Sequence, residues 1–240
     1  WSVTGVQTCA LPICRQKPEN KGNPDACCQP PRHFRRRHAG LGLRRSVFES
    51  APPAAIYVPA HQSVHIRAST AAEVALCTAP SDDTVRSVKV LDSQTMRRSV
   101  RGQGANTRYV CDILPHDDPV AAHLLVVEVL TPAGHSSSYP PHKHDLEQPP
   151  TETQLEETYY HRLNPPQGFA FQRVYTDDRS LDESCAVEDH DVVMVPRGYH
   201  PVVAPHGYDL YYLNVMAGPN RFWVFKNDPA HEWMLAPART

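Results

Sequence analysis

No run of apolar residues in this 240-residue chain approaches the roughly 18 that a membrane-crossing helix requires, so no bilayer span is expected. Neither sign of charge prevails: 24 Lys and Arg face 26 Asp and Glu, a formal net charge of -2, which argues against a nucleic-acid or polyanion partner. The opening residues lack an initiator Met, and they lack a charged segment leading into an apolar one. A secretory signal is therefore a poor fit, and a cytoplasmic location is expected. The seven Cys form no framework. Four of them (Cys9, Cys14, Cys27 and Cys28) crowd the first 28 residues, whereas Cys77, Cys111 and Cys185 are scattered and read as reduced core thiols.

Proline is plentiful at 24 residues, favouring short strands and turns over long helices. Residues 2–13 resemble the translation of a common short-read sequencing adaptor. The following Arg-, Pro-, Cys- and His-rich stretch, including Pro31-Arg32-His33-Phe34-Arg35-Arg36-Arg37-His38, has neither strand nor helix periodicity. A basic nucleic-acid arm is one reading of that run; out-of-frame sequence behind the adaptor is the preferred one. Residues 1–45 are thus expected to be non-native and disordered. Short β-branched alternating runs follow at 54–59, 63–68, 72–77, 85–91 and 107–114, and a Pro and Asp turn at 115–119 marks a boundary. Further runs at 124–130, 156–162, 169–176, 192–195, 209–217 and 223–225 complete an all-β pattern, either sandwich or barrel.

The chemistry concentrates between residues 139 and 200. In Tyr139-Pro140-Pro141-His142-Lys143-His144-Asp145 the two His stand at i and i+2, one face of a strand, so both can grip one ion. Glu157 lies in the β-like run Leu155-Glu156-Glu157-Thr158-Tyr159-Tyr160-His161, and His200 follows the tight turn of Val195-Pro196-Arg197-Gly198-Tyr199-His200. Three imidazoles and a carboxylate suit Zn, Mn, Fe or Ni rather than Ca or Mg. No Cys falls in these motifs, which argues for an open catalytic site over a closed structural zinc site. By contrast, His61 and His65 have no such companions and read as solvated or packed.

The His-x-His, the later Glu and the Asp-x-x-x-x-Pro-x-Gly-x-His ending at His200 resemble the two motifs of cupin barrels. The spacing departs from the usual form: a loop is inserted before Glu157, and the second motif is one residue short before His200. With Glu-Glu-Thr-Tyr-Tyr-His-Arg, Asn-Pro-Pro-Gln-Gly-Phe-Ala, Pro-Arg-Gly-Tyr-His-Pro and Leu-Asn-Val-Met-Ala-Gly-Pro, the chain is similar to the 5-deoxy-glucuronate isomerase family of inositol catabolism. That resemblance runs from about residue 46 and implies a bicupin. Residues 46–118 would be a partial N-terminal barrel without metal that has lost its opening strands, and 119–240 the C-terminal barrel carrying the metal.

The implied reaction is the aldose–ketose isomerisation of 5-deoxy-D-glucuronate to 5-dehydro-2-deoxy-D-gluconate. It implies a small sugar-acid substrate and a divalent metal (Zn or Mn first, Fe or Ni also allowed); no nucleic-acid or membrane partner is expected, and the sequence leaves a homo-oligomer open. The ligands carried over are His142, His144, Glu157 and His200, with Glu157 chosen over Glu156 because Glu-x-Tyr-Tyr resembles the cupin position. Arg173 or Lys143 would hold the substrate carboxylate. Tyr159, His161, Gln172 and Tyr212 would line the pocket or shuttle the proton. An iron-using cupin dioxygenase and a non-catalytic sugar-sensing cupin are the rival readings, since one barrel hosts many activities.

Overall fold

The structure is a computed structural model, and it describes residues 38–235 together with the backbone of a strand at Val6–Gln16 (β1). Among the described residues there is no α-helix, only two short 3-10 turns, and no helix long and apolar enough to cross a membrane. The all-β expectation holds.

Three antiparallel sheets form the body. The central one has six strands, Arg97–Arg101 (β5), Arg108–Leu114 (β6), Leu125–Thr131 (β7), Glu156–Asn164 (β10), Val192–Val195 (β13) and Asp209–Ala217 (β15), in the order β13-β10-β15-β7-β6-β5. On one side lies a four-stranded sheet of Ser136–Ser137 (β8), Phe169–Tyr175 (β11), Asp182–Glu188 (β12) and Val202–Val203 (β14). On the other lies a sheet of β1, Ala55–Val58 (β2), Ala71–Pro80 (β3) and Lys89–Leu91 (β4). A small ribbon pairs His142–Lys143 (β9) with Lys226–Asn227 (β16).

Strand alternation explains why the central sheet needs cover on both faces. Along β15, Leu210, Tyr212 and Met216 enter the core shared with β11, β12 and β14, while Tyr211 and Leu213 enter the core shared with β2, β3 and β4. Neighbouring strands are in register with this split: Val129 and Val110 join the first core, Val126 and Cys111 the second. The first core, hereafter the inner one, holds the functional residues.

Three expectations change here. The boundary at 118/119 falls inside one sheet, because β6 pairs directly with β7. The intervening turn is fastened down: the Arg221 guanidinium donates to the carbonyls of Pro115 (2.5 Å), Asp118 (2.5 Å) and Leu124 (2.7 Å). Five donors on one planar group make Arg suited to gathering several carbonyls. Within 1–45, most of which lies outside the described residues, β1 pairs with both β2 and β3, and Arg44 is buried with both outer nitrogens on Glu128 (3.0 and 2.9 Å). Ordered structure therefore starts before residue 46. The alternating run 63–68 forms no strand and is largely exposed, since no neighbouring strand pairs with it.

Candidate metal centre

β10 supplies the carboxylate. Its inward parity carries Glu157, Tyr159, His161 and Leu163, while Arg162 faces the opposite sheet and pairs with Glu73 at 2.8 Å. His144 follows β9 and is tied to the start of β10 by two bonds with Leu155: the Leu155 N–H donates to the His144 carbonyl (2.9 Å), and His144 Nδ1 donates to the Leu155 carbonyl (2.8 Å). His200 ends the Pro-x-Gly turn, and its Nδ1 donates to the Gly198 carbonyl at 2.8 Å. Gly198 is required there. Its φ is +93°, and a Cβ would meet the Tyr175 carbonyl oxygen at 2.6 Å. Its N–H donates to Asp145 Oδ1 at 2.7 Å, binding this turn to the residue after His144.

The result is a convergence on one atom. Glu157 Oε1 stands 2.6 Å from His144 Nε2 and 2.7 Å from His200 Nε2, and all three side chains are buried. Asn214 Nδ2 donates to the other oxygen, Glu157 Oε2. Burial alone would raise the Glu157 pKa, but the His200 and His144 charges beside it hold it well below the usual carboxylate range. Burial alone would lower the His144 pKa, but the charge of Glu157 and its hydrogen bond raise it.

This donor set fits a divalent cation. Both Nδ1–H groups are committed to backbone carbonyls, the usual outer arrangement of metal-binding imidazoles, which leaves Nε2 of each ring as the atom facing Glu157, through a proton here and through a metal ion if one takes that proton's place. Two imidazole Nε2 atoms and one carboxylate converge in a buried space, and a divalent ion could replace the protons now shared between them.

The other expected residues divide cleanly. His142 lies beside the group, its ring 4.8 Å from that of His200 and 6.4 Å from that of His144, and packed on Phe225 at 4.5 Å. Burial, reinforced by the two neighbouring imidazoles, pushes its pKa well down, which keeps it neutral. Tyr159 and Tyr212 are buried with ring centroids 4.9 Å apart, and the Tyr159 ring is 5.8 Å from His200. Their hydroxyls meet Ser138 (3.3 Å) and Ser137 (2.6 Å). His161 Nε2 meets Gln172 Oε1 at 2.9 Å, while His161 Nδ1 and Gln172 Nε2 are buried without a partner. Burial takes the His161 pKa down to about 4.

Arg173 and Lys143 do not join them. Gln172 points inward, so Arg173 must point outward, where it grips Asp182 through two 2.7 Å bonds. Lys143, between the two His, takes the opposite face and pairs with Asp177 near the Tyr199 ring. Asn214 falls in the family-like run Leu-Asn-Val-Met-Ala-Gly-Pro but is a site residue to which the sequence reading assigns no role. Its signal is a polar side chain at an inward position between Tyr212 and Met216.

The KduI/IolB family profile matches residues 33–234. The chain is 56% identical over 195 residues to a protein of Halalkalibacterium halodurans named 5-deoxy-glucuronate isomerase, and 54% identical over 195 residues to one of that name from Bacillus subtilis strain 168. Each match covers 81% of this chain and 72% of the relative. A crystal structure of an IolB-like protein from Salmonella typhimurium superposes with a TM-score of 0.84 at 44% identity, covering 97% of this chain and 83% of that one. The motif resemblance, the family profile and these relatives agree: the chain belongs to the KduI/IolB family.

Proposed function

We propose that the protein is an aldose–ketose isomerase acting on 5-deoxy-D-glucuronate and forming 5-dehydro-2-deoxy-D-gluconate. The observation that carries this reading is the buried convergence of His144, Glu157 and His200, with both outer nitrogens locked by backbone carbonyls, in a chain more than half identical to proteins of that name. In the reaction a proton leaves C2 as the C2 carbonyl forms, a proton is delivered to C1, and the hydroxyl proton passes from O2 to O1. No oxidant or reductant is consumed.

His144, Glu157 and His200, with His142 as the adjoining imidazole, would hold a divalent ion, which supplies Lewis-acid polarisation of the C1 and C2 oxygens. The chain's own groups handle the protons. Burial, then the charge of Glu157, keeps the Tyr159 pKa well above the ordinary phenol value, so its hydroxyl stays protonated and acts as a donor toward a substrate oxygen. With Nε2–H given to Gln172, His161 offers an unpartnered Nδ1 lone pair inside the same core, an acceptor for a proton in transit. Tyr212, held by Ser137, completes the wall against which the sugar would lie.

The test is turnover of 5-deoxy-glucuronate by the purified chain before chelation, after it, and after adding back Mn or Zn. Activity that disappears and returns with metal supports the reading. Metal binding without turnover in that assay sinks it, and oxygen uptake in its place would indicate the dioxygenase chemistry instead. Tyr159→Phe should lower kcat by about 100-fold, the lower end for a positioned acid or base.

A further inference from the structure

Arg101 and Arg108 stand directly opposite each other on β5 and β6. Like charges facing across a ladder are destabilising unless something answers them. Arg101 has an answer, with Asp112 Oδ1 at 3.7 Å and the Trp223 ring 5.5 Å from its guanidinium carbon. Arg108 does not. Among the described residues its hydrogen bonds go only to the Asn106 carbonyl and side-chain oxygens, both at 3.0 Å and both from Nη1, leaving Nε and Nη2 free to donate. The loop is shaped around this guanidinium: Gly102 has φ +78°, and a Cβ there would meet the Asn106 carbonyl oxygen at 2.0 Å and Arg108 Nη1 at 2.7 Å.

Parity turns Arg108 to the same face as Val110, which packs in the inner core. The half-buried side chain has its pKa lowered by burial; the Tyr212 and Tyr159 hydroxyls oppose that shift and Arg101 adds to it, so both phenols of the site lie within the field of this cation. Those two phenols lead on to the metal centre: their rings lie 4.9 Å apart, and the Tyr159 ring lies 5.8 Å from His200. From Arg101 a second path passes through Trp223, Phe225 (6.2 Å) and His142. Trp223 Nε1 is itself buried and unpartnered, a further donor on that wall.

We propose that Arg108, backed by Arg101 and Trp223, is the carboxylate subsite of this barrel, holding the end of an acyclic sugar acid remote from the carbon atoms at the metal centre. This rests on the isomerase reading for its substrate, an open-chain uronic acid whose carboxylate and aldehyde lie at opposite ends. A guanidinium with two unused donors matches a carboxylate in a fork that a Lys cannot reproduce. Arg108 is therefore a binding residue distinct from the groups that move protons.

The experiment uses the metal-loaded chain, with calorimetric binding of D-gluconate and of neutral sorbitol, and steady-state kinetics with 5-deoxy-glucuronate. Wild type is expected to bind gluconate more tightly than sorbitol. Arg108→Gln should erase that difference and raise KM about 10- to 100-fold, as expected for losing a charged hydrogen-bond pair, with kcat and metal content nearly unchanged. Arg101→Gln should give a smaller rise in KM. Unchanged gluconate affinity and KM in Arg108→Gln would overturn the proposal, as would a wild type that binds sorbitol as well as gluconate. Should Arg108→Gln lose its folded circular dichroism, Arg108→Lys decides: weakened gluconate binding upholds the fork, and unaltered binding refutes it. If wild type fails to turn over 5-deoxy-glucuronate, the isomerase reading falls, while the gluconate–sorbitol comparison still decides the subsite.

Discussion

The central sheet buries a glutamate on each face, and the two could hardly be treated more differently. Glu128, on the outer-core side, receives both outer nitrogens of Arg44 and the Tyr211 hydroxyl at 2.9 to 3.0 Å, so its charge is matched and its oxygens are satisfied. Glu157, on the inner side, faces two imidazole Nε2 atoms and the Asn214 amide, with the partnerless buried atoms His161 Nδ1 and Gln172 Nε2 in the same core. Buried polar groups in a fold are ordinarily paired, so a complete network marks a structural role and an incomplete one marks a place kept for something else. One face holds the layers together. The other carries the donor set that could hold a metal ion.

The sharpest way to break that comparison is to disable each glutamate in turn. Glu157→Gln removes a proposed ligand and should reduce metal affinity by more than about 100-fold, beyond the range seen when only an outer partner is lost. Activity should vanish with it, and added Zn or Mn should no longer raise the melting temperature as it does for wild type. Arg44→Ala instead strands the buried Glu128 charge and should cost about 3–5 kcal/mol of stability. Metal affinity and KM, measured well below its lowered melting temperature, should stay at the wild-type values. A reversal of these two phenotypes, with Arg44→Ala losing metal and Glu157→Gln losing only stability, would show that the faces have been assigned the wrong way round.

A second prediction concerns the inner face alone. His161 is held neutral, its pKa taken by burial to about 4, below its unfolded value. The unfolded chain therefore binds the proton first as pH falls. The stability associated with the neutral ring is present above about pH 6.5 and is lost on the way down through about pH 4, at up to about 1.4 kcal/mol per unit. His161→Asn, compared with wild type by urea unfolding between pH 4.5 and 7, should flatten that part of the profile. An unchanged slope would mean that the ring is protonated in the folded protein and cannot be the unpartnered acceptor.

Much of this was legible in the residue order, and the gaps have physical causes. β2, β3, β6, β7, β10, β11, β13 and β15 announce themselves because one or both faces are buried, which forces alternation or a continuous apolar run. β5 and β12 do not: Arg-Arg-Ser-Val-Arg and Asp-Glu-Ser-Cys-Ala-Val-Glu lie at sheet edges, largely exposed, where nothing selects for an apolar face. His142, His144, Glu157 and His200 are readable because local motifs carry them. Arg108 reaches the inner core from β6, which meets β10 only through the sheet order, so no local spacing reveals it; Asn214 has only the weaker signal of a polar residue at an inward strand position.

Arg173 and Arg108 make the finest version of the comparison, and the smallest expected effect. Residue type alone favours either as a carboxylate fork. Position separates them: Arg173 is exposed on the outer side of β11, with its fork already occupied by Asp182, whereas Arg108 faces inward with donors to spare. Exposed ion pairs contribute little and are screened by salt. Arg173→Gln should therefore leave KM, kcat and melting temperature indistinguishable from wild type at ordinary ionic strength. A rise in KM with this variant, matching or exceeding that of Arg108→Gln, would mean that the substrate approaches across the outer face of β11. The parity that places Gln172 inside would then have misled the assignment of the binding surface, although the metal ligands would stand.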